Sequence, residues 1–256
     1  MELGLEQTLS TLDKTNIKKF DIVIPVGPDE TPIIERIVQH VVMHVKNFDK
    51  IYLITSDKDV NVDNCIVIHE SVFPFNKTLI HSLTPKHPKP GWVFQQLLKL
   101  HCLRVIPELN DNILVLDADV YILNDLSFFD NKKEIFTVGY EHTKEYHEHA
   151  QRLHPSLTRA YPKWSGISHH MVFNRNKMNQ LFDLIENHHQ DTFFNVFMKS
   201  LDMMCSEYEI YFSFVCNYYP DDIKIRELRW ANVPHLNEEM VNNYDYVSHA
   251  KWFGTR

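Results

Sequence analysis

Runs of aliphatic residues alternate with segments of helical period along most of this chain. Asp21-Ile22-Val23-Ile24-Pro25-Val26 reads as a first buried strand, and Gly27-Pro28-Asp29-Glu30 as the turn that leaves it. Thr31-Pro32 is a helix start, with a hydroxyl cap and proline at the first helical position. Ile33, Ile34, Ile37, Val38, Val41, Val42 and Val45 then recur at three/four spacing, the mark of one apolar helix face. Ile51-Tyr52-Leu53-Ile54-Thr55 predicts a second strand and Cys65-Ile66-Val67-Ile68 a third. Phe73 to Pro90 is proline-rich and polar, and is expected to be a loop over the sheet edge. Trp92 to Ile106 is the next helix. At about 100° per residue, Gln95, Gln96 and Lys99 share one narrow polar arc while apolar residues fill much of the remainder. Pattern alone fits that arc equally to a polar cleft or to a solvated edge.

Ile113-Leu114-Val115-Leu116-Asp117-Ala118-Asp119 is the most abrupt stretch, an aliphatic strand ending in two carboxylates one residue apart. Such a strand reads as a buried member of a parallel sheet, and its carboxyl end lies where open α/β folds place ligands. Two converging carboxylates repel unless a cation sits between them, and a divalent metal with oxygen ligands meets that need. An Asp-rich turn at a strand end is the plainer alternative. Further strands are predicted at Tyr121-Ile122-Leu123, near Ile135-Phe136-Thr137-Val138, at His169-His170-Met171-Val172-Phe173 and near Ile223–Ile225. Residues 140–164 show no clear period and are expected to be irregular. Helices are predicted over 175–188, about 191–203 and 206–217, before a last polar stretch. The whole predicts an α/β fold built as a single Rossmann-like domain over 20–256, preceded by a polar lead-in over 1–19.

Composition narrows the functional classes. A net charge of −8 argues against nonspecific binding of nucleic acid, which needs a basic surface. Only six glycines are present, with neither a Gly-x-Gly-x-x-Gly nor a Walker-type loop. The four cysteines (Cys65, Cys102, Cys205, Cys216) show no Cys-x-x-Cys pairing and sit in apolar neighbourhoods, which suits reduced thiols. No secretory core and no run of roughly 18 apolar residues appears. A soluble, cytoplasmic protein is the expectation. Its oligomeric state stays open, a homodimer included.

Taken in order, Val23-Ile24-Pro25-Val26, Gly91-Trp92 with Gln95-Gln96-x-x-Lys99-Leu100, Leu116-Asp117-Ala118-Asp119, Ser165-Gly166 before His169-His170, and Ser206-Glu207-Tyr208-Glu209 resemble a GT-A-type glycosyltransferase. The similarity is to bacterial and viral glycosyltransferases with an Asp-x-Asp motif, and more distantly to the glycogenin-like group. It implies the GT-A fold with a mixed, mostly parallel central sheet. It also implies transfer of a sugar from a nucleotide-diphosphate donor, UDP favoured, to a hydroxyl acceptor such as a glycan, with Mn²⁺ or Mg²⁺ as cofactor. By this resemblance Asp119 ligates the metal directly, Asp117 reaches it or the ribose, and His249 is the third ligand. Pro25, Val26, Asp57, Gln95, Gln96, Lys99, Asp117, Ala118 and Lys251 would then contact the donor. Trp164, Ser165, Gly166, His169 and His170 would form the sugar or acceptor side. The plain alternative for Lys99 is a salt bridge to a neighbouring Asp.

Ser206-x-x-Glu209 has the spacing of a capping box, so Glu209 is expected to fold back on the Ser206 amide. Glu207 is left to face the cleft. In the inverting enzymes that this family includes, a carboxylate at such a helix start takes the acceptor's proton. Inversion is slightly preferred over retention on that basis. Leu114 to Val120 also fits the first motif of haloacid-dehalogenase-type phosphohydrolases, with Asp117 as nucleophile and Asp221-Asp222 as a late acidic pair. A nucleotide-sugar-binding module without turnover is the non-enzymatic alternative.

Overall fold

The aliphatic segments lie side by side as strands of one sheet. The computed structural model describes residues 19–237 and 239–249; the expected polar lead-in (Lys19 apart) and Lys251 lie outside them. Along the chain come β1 (Phe20–Pro25), a 3-10 turn at Thr31–Ile33, α1 (Ile34–His44), β2 (Phe48–Thr55) and β3 (Cys65–His69). Next are α2 (Lys77–Leu83), α3 (Pro90–Val105), β4 (Asn112–Leu116), β5 (Val120–Ile122), β6 (Phe129–Asp130) and β7 (Lys133–Thr137). They are followed by α4 (Lys144–Leu153), β8 (His170–Asn174), α5 (Arg175–His189), α6 (Phe193–Ser200) and α7 (Glu207–Tyr218). The chain closes with β9 (Ile223–Arg226), β10 (Trp230–Val233), α8 (Met240–Asn243) and β11 (Tyr246–His249).

The main sheet runs β3-β2-β1-β4-β8. Its first four strands are parallel, and β8 joins β4 antiparallel with Leu116 opposite His170. The expected mixed, mostly parallel α/β sheet is therefore present. Strands β1 and β4 are wholly or almost wholly buried, as unbroken aliphatic runs require when both sheet faces are covered. Two three-stranded sheets, β10-β11-β5 and β6-β7-β9, extend this core. Nearly all the buried apolar side chains form one cluster that runs from Phe20 to Val247. All four cysteines are free thiols. No helix among the described residues is long and apolar enough to cross a membrane.

Several expectations need correction. The segment 73–90 is not all loop, because Asn76 accepts from the Leu79 amide (2.9 Å) and starts α2. The segment 140–164 contains α4, whose buried face is Tyr146, His149, Ala150 and Leu153. That is regular helical spacing, hidden in sequence because two of the four residues are Tyr and His. The polar tail also supplies two strands, β10 and β11. At the first helix, Thr31 and Pro32 begin a 3-10 turn rather than a side-chain-capped α-helix, and Val42 on the expected apolar face is exposed.

Helix α7 is the element that positions the site. Its Ser206 cap accepts from the Glu209 amide (3.2 Å), one half of the expected box. The other half is absent. The Glu209 carboxylate instead accepts from the Gly166 amide (2.8 Å) and the Ser213 hydroxyl (3.2 Å), with His147 at 3.4 Å. The Glu207 amide donates to Gln96 Oε1 (3.0 Å), so α3 takes up one of the unpaired helix-start donors. Gly166 lies so close beneath α7 that a Cβ there would collide with the Phe212 side chain and the Tyr208 carbonyl.

Burial pushes the Glu209 carboxyl up to about 7, against hydrogen bonds from Gly166 and Ser213 that favour the ionised form. Between its ordinary value of 4.5 and about 7, the folded chain then holds a proton that the unfolded chain has lost. Stability therefore falls as pH rises through that window, by about 3 kcal/mol if the whole shift is expressed. Glu209→Gln should remove this slope. In urea unfolding from pH 4.5 to 8, the variant is expected to gain on the wild type by roughly that amount, and a pH-independent difference would contradict the assignment.

Candidate functional site

Strand β4 delivers Asp117 to the carboxyl edge of the sheet, and the backbone of two other strands holds the turn that follows. The Asp117 amide donates to the His169 carbonyl (2.9 Å), the Val120 amide to the Asp117 carbonyl (3.3 Å) and the His249 amide to the Asp119 carbonyl (2.8 Å). The side chains are steered as firmly. Asp117 Oδ1 accepts from Lys99 and from the Tyr208 hydroxyl (2.9 Å), while its Oδ2 stands 3.2 Å from His169 Nδ1. Asp119 Oδ2 accepts from the Ser248 hydroxyl (3.0 Å). Each carboxylate thus has one oxygen held by a hydroxyl, and Asp119 Oδ1 has no donor among the described residues.

His169 stands directly before β8 in the left-handed region, at φ 61°. A side chain there costs backbone energy, and such conformations cluster at functional sites. The result is that Asp117, Asp119 and His169 offer ligand atoms all within 4.8 Å of one another. Ligands about 2.2 Å from a common ion span at most roughly 4.4 Å, so this spacing is of the size that one ion requires. Two carboxylate oxygens and an imidazole suit Mn²⁺ or Mg²⁺.

Lys99 is the centre of the charge arrangement. Its ammonium is 3% exposed and bonds Asp117 and Glu207 at once, with the Tyr208 ring 4.6 Å away. Burial alone would lower its pKa, but the two carboxylates outweigh that and raise it. Burial raises the Asp117 pKa, yet Lys99 and His169 together hold it well below the usual carboxylate range. Burial, and then the Asp117 charge, push Asp119 up. Burial also raises Glu207, with Lys99 opposing. For His169, burial is outweighed by the hydrogen bond and charge of Asp117, and its pKa rises. Two carboxylates share one ammonium, and Asp119 beside them has no ion pair with it, so the site favours a further cation.

These groups line a cavity of about 540 Å³. Of the residues expected at the site, Gln95, Lys99, Asp117, Ala118, Asp119, His169 and Glu207 reach its wall. Gln96 does not. It is buried, donating to the Cys205 carbonyl (3.1 Å) and accepting from the Glu207 amide, so it positions α7. Pro25 and Val26 lie in or beside the sheet, where the Val26 amide is spent on the Ile54 carbonyl. Asp57 caps its own turn by accepting from the Asp59 amide.

The His249 ring bonds the Pro234 carbonyl (2.9 Å) and is not one of the three clustered groups. Trp164 packs on Tyr161, Ser165 bridges Gly139, and Gly166 underlies α7. His170 is buried against the Thr137 hydroxyl (3.0 Å), and burial lowers it to about 3. None of these four lines the cavity. Sequence reasoning missed Tyr208 and Ser248, which orient the two aspartates, and Asn232, His87, Trp92 and Tyr146 on the wall. Tyr208 carried a signal in its place between two carboxylates at a helix start, and Trp92 in its place within the Gly91-Trp92 stretch.

Comparison with known proteins adds the following. No curated protein matches the chain in sequence. Two structures of the galactosyltransferase LgtC align with it over 90% of this chain and 87% of theirs at 10% identity. One is a complex with donor and acceptor sugar analogues (TM-score 0.46), the other an active-site mutant (TM-score 0.48). The profile of DUF6492, described as a family of unknown function, matches residues 28–233. With that match spanning most of its length, the chain belongs to the DUF6492 family.

Proposed function

We propose that this protein is a metal-dependent glycosyltransferase of the GT-A type, moving a sugar from a nucleotide diphosphate, UDP favoured, to a hydroxyl acceptor. The observation that carries the reading is the cluster of Asp117, Asp119 and His169 at the carboxyl edge of a parallel sheet, inside one cavity with Glu207. That edge is where open α/β sheets take nucleotides, and the cavity volume is in the range of small-molecule sites. Asp117 Oδ2, Asp119 Oδ1 and His169 would hold Mn²⁺ or Mg²⁺, with His249 serving Asp119 through its backbone. When bound, the ion stabilises the diphosphate as it departs.

In the proposed transfer, the acceptor hydroxyl oxygen forms a bond to the anomeric carbon. The bond from that carbon to the diphosphate breaks, and the diphosphate leaves with the electron pair. Glu207 takes the hydroxyl proton on Oε2, because Oε1 is engaged by Lys99. Lys99 keeps Glu207 in place and offsets part of the charge on Asp117. The phosphohydrolase reading is disfavoured on two grounds. The chain before β4 builds the same sheet, and Asp222 pairs with Lys177 beside a separate cavity, away from Asp117.

Isothermal titration should show UDP binding that needs Mn²⁺ and disappears with EDTA. Asp119→Asn should weaken that binding about tenfold or more, since one anionic ligand is lost. Undiminished affinity in that variant would refute the metal assignment. Glu207→Gln should keep UDP and metal affinity, because glutamine still accepts from Lys99, while turnover of a UDP-sugar falls by roughly 10²–10⁴-fold. A normal rate, with a product that keeps the donor's anomeric configuration, would overturn the base assignment and favour retention.

A further inference from the structure

We propose that the wall made by His87, Trp92 and Tyr146 is a carbohydrate-binding subsite, where one pyranose ring of the acceptor packs its C–H face on the aromatic rings. The proposal rests on the transferase reading of the same cavity. It also relocates the acceptor side, since Trp164, Ser165, Gly166 and His170 are absent from the cavity wall while these three rings line it.

The three rings form a continuous surface. His87 and Trp92 are nearly parallel, with 14° between planes and centroids 6.3 Å apart. Parallel rings in face contact are about 3.5 Å apart, so these two are displaced sideways and present a stepped, flat face. Trp92 meets Tyr146 at 6.4 Å and 40°. His87 is pinned at both nitrogens: the Lys89 amide donates to Nδ1 (3.1 Å), so in the neutral ring Nε2 carries the proton and donates to the Met203 carbonyl (3.2 Å). A ring fixed at both ends is a platform prepared before any ligand arrives.

The rim of this surface suits a sugar better than a wholly apolar guest. Lys89, Gln95 and Glu141 line the same cavity and offer an ammonium, an amide and a carboxylate to hydroxyl groups. A pyranose has one apolar C–H face and a ring of hydroxyls at its edge, and it uses both kinds of wall at once. A hydrocarbon chain would leave the polar rim desolvated without partners. The placement also fits transfer. Tyr146, Trp92 and His87 line the same cavity as Glu207, and Glu207 shares Lys99 with Asp117. The aromatic surface is therefore linked to the carboxylate pair through the group proposed to take the acceptor's proton.

Saturation-transfer NMR on the full chain with UDP and Mg²⁺ tests this, using the methyl glycosides of glucose, galactose, mannose and N-acetylglucosamine as probes. At least one glycoside should show enhancement at its ring C–H protons. Trp92→Ala should weaken that signal about tenfold or more, Trp92→Phe should keep part of it, and the UDP signal should be unchanged in both. The subsite is overturned if UDP gives a signal and no glycoside does, or if a glycoside signal survives Trp92→Ala undiminished. A missing UDP signal with a Trp92-dependent glycoside signal would instead refute the nucleotide reading and leave the subsite standing.

Discussion

One buried ammonium organises this protein. Lys99 is almost fully enclosed and carries Asp117 and Glu207 on the same nitrogen, and these three residues come from α3, the end of β4 and the start of α7. Taking a charge out of water costs several kcal/mol, and good partners must compensate it. The helices and the sheet edge must therefore converge at this point. Gln96, one turn before Lys99 on α3, adds a second tie by accepting from the Glu207 amide. The two side chains turn α3 and α7 into a clamp around the end of β4.

The same arrangement leaves the site electrostatically incomplete. Lys99 and Tyr208 occupy one oxygen of Asp117, and Ser248 occupies one oxygen of Asp119. Each aspartate still offers an oxygen to a cluster with His169, which is held in an unfavourable backbone conformation beside them. Strand β11 serves Asp119 twice, through the His249 amide on its carbonyl and the Ser248 hydroxyl on its carboxylate.

Much of the frame was legible in the sequence because burial on both sheet faces demands unbroken aliphatic runs, which β1 and β4 supply. The Asp pair was legible because charge ends such a run abruptly. Helix α4 was not, since its inward face includes Tyr146 and His149, residues that a hydrophobic pattern counts as polar. The approach of His169, rather than the His249 ring, to the two aspartates was not legible either. Both follow or precede strand-like runs, and it is the ring at 169, on a left-handed backbone, that stands 3.2 Å from Asp117. Ser165-Gly166 looked like a ligand loop, yet its small size serves close packing beneath α7, and Glu209 reaches it in place of closing its own helix cap. Sequence spacing gave the period of each element; the partner across the fold depends on tertiary approach that no local rule encodes.

The central claim is that Asp117, Asp119 and His169 form a divalent-cation site that receives a nucleotide diphosphate. Pulsed electron paramagnetic resonance of Mn²⁺ with the protein and UDP tests it most directly. The account predicts bound Mn²⁺ with ³¹P coupling from the diphosphate and ¹⁴N coupling that is lost in His169→Gln. A spectrum of fully hydrated Mn²⁺, unchanged by protein and UDP together, would contradict it.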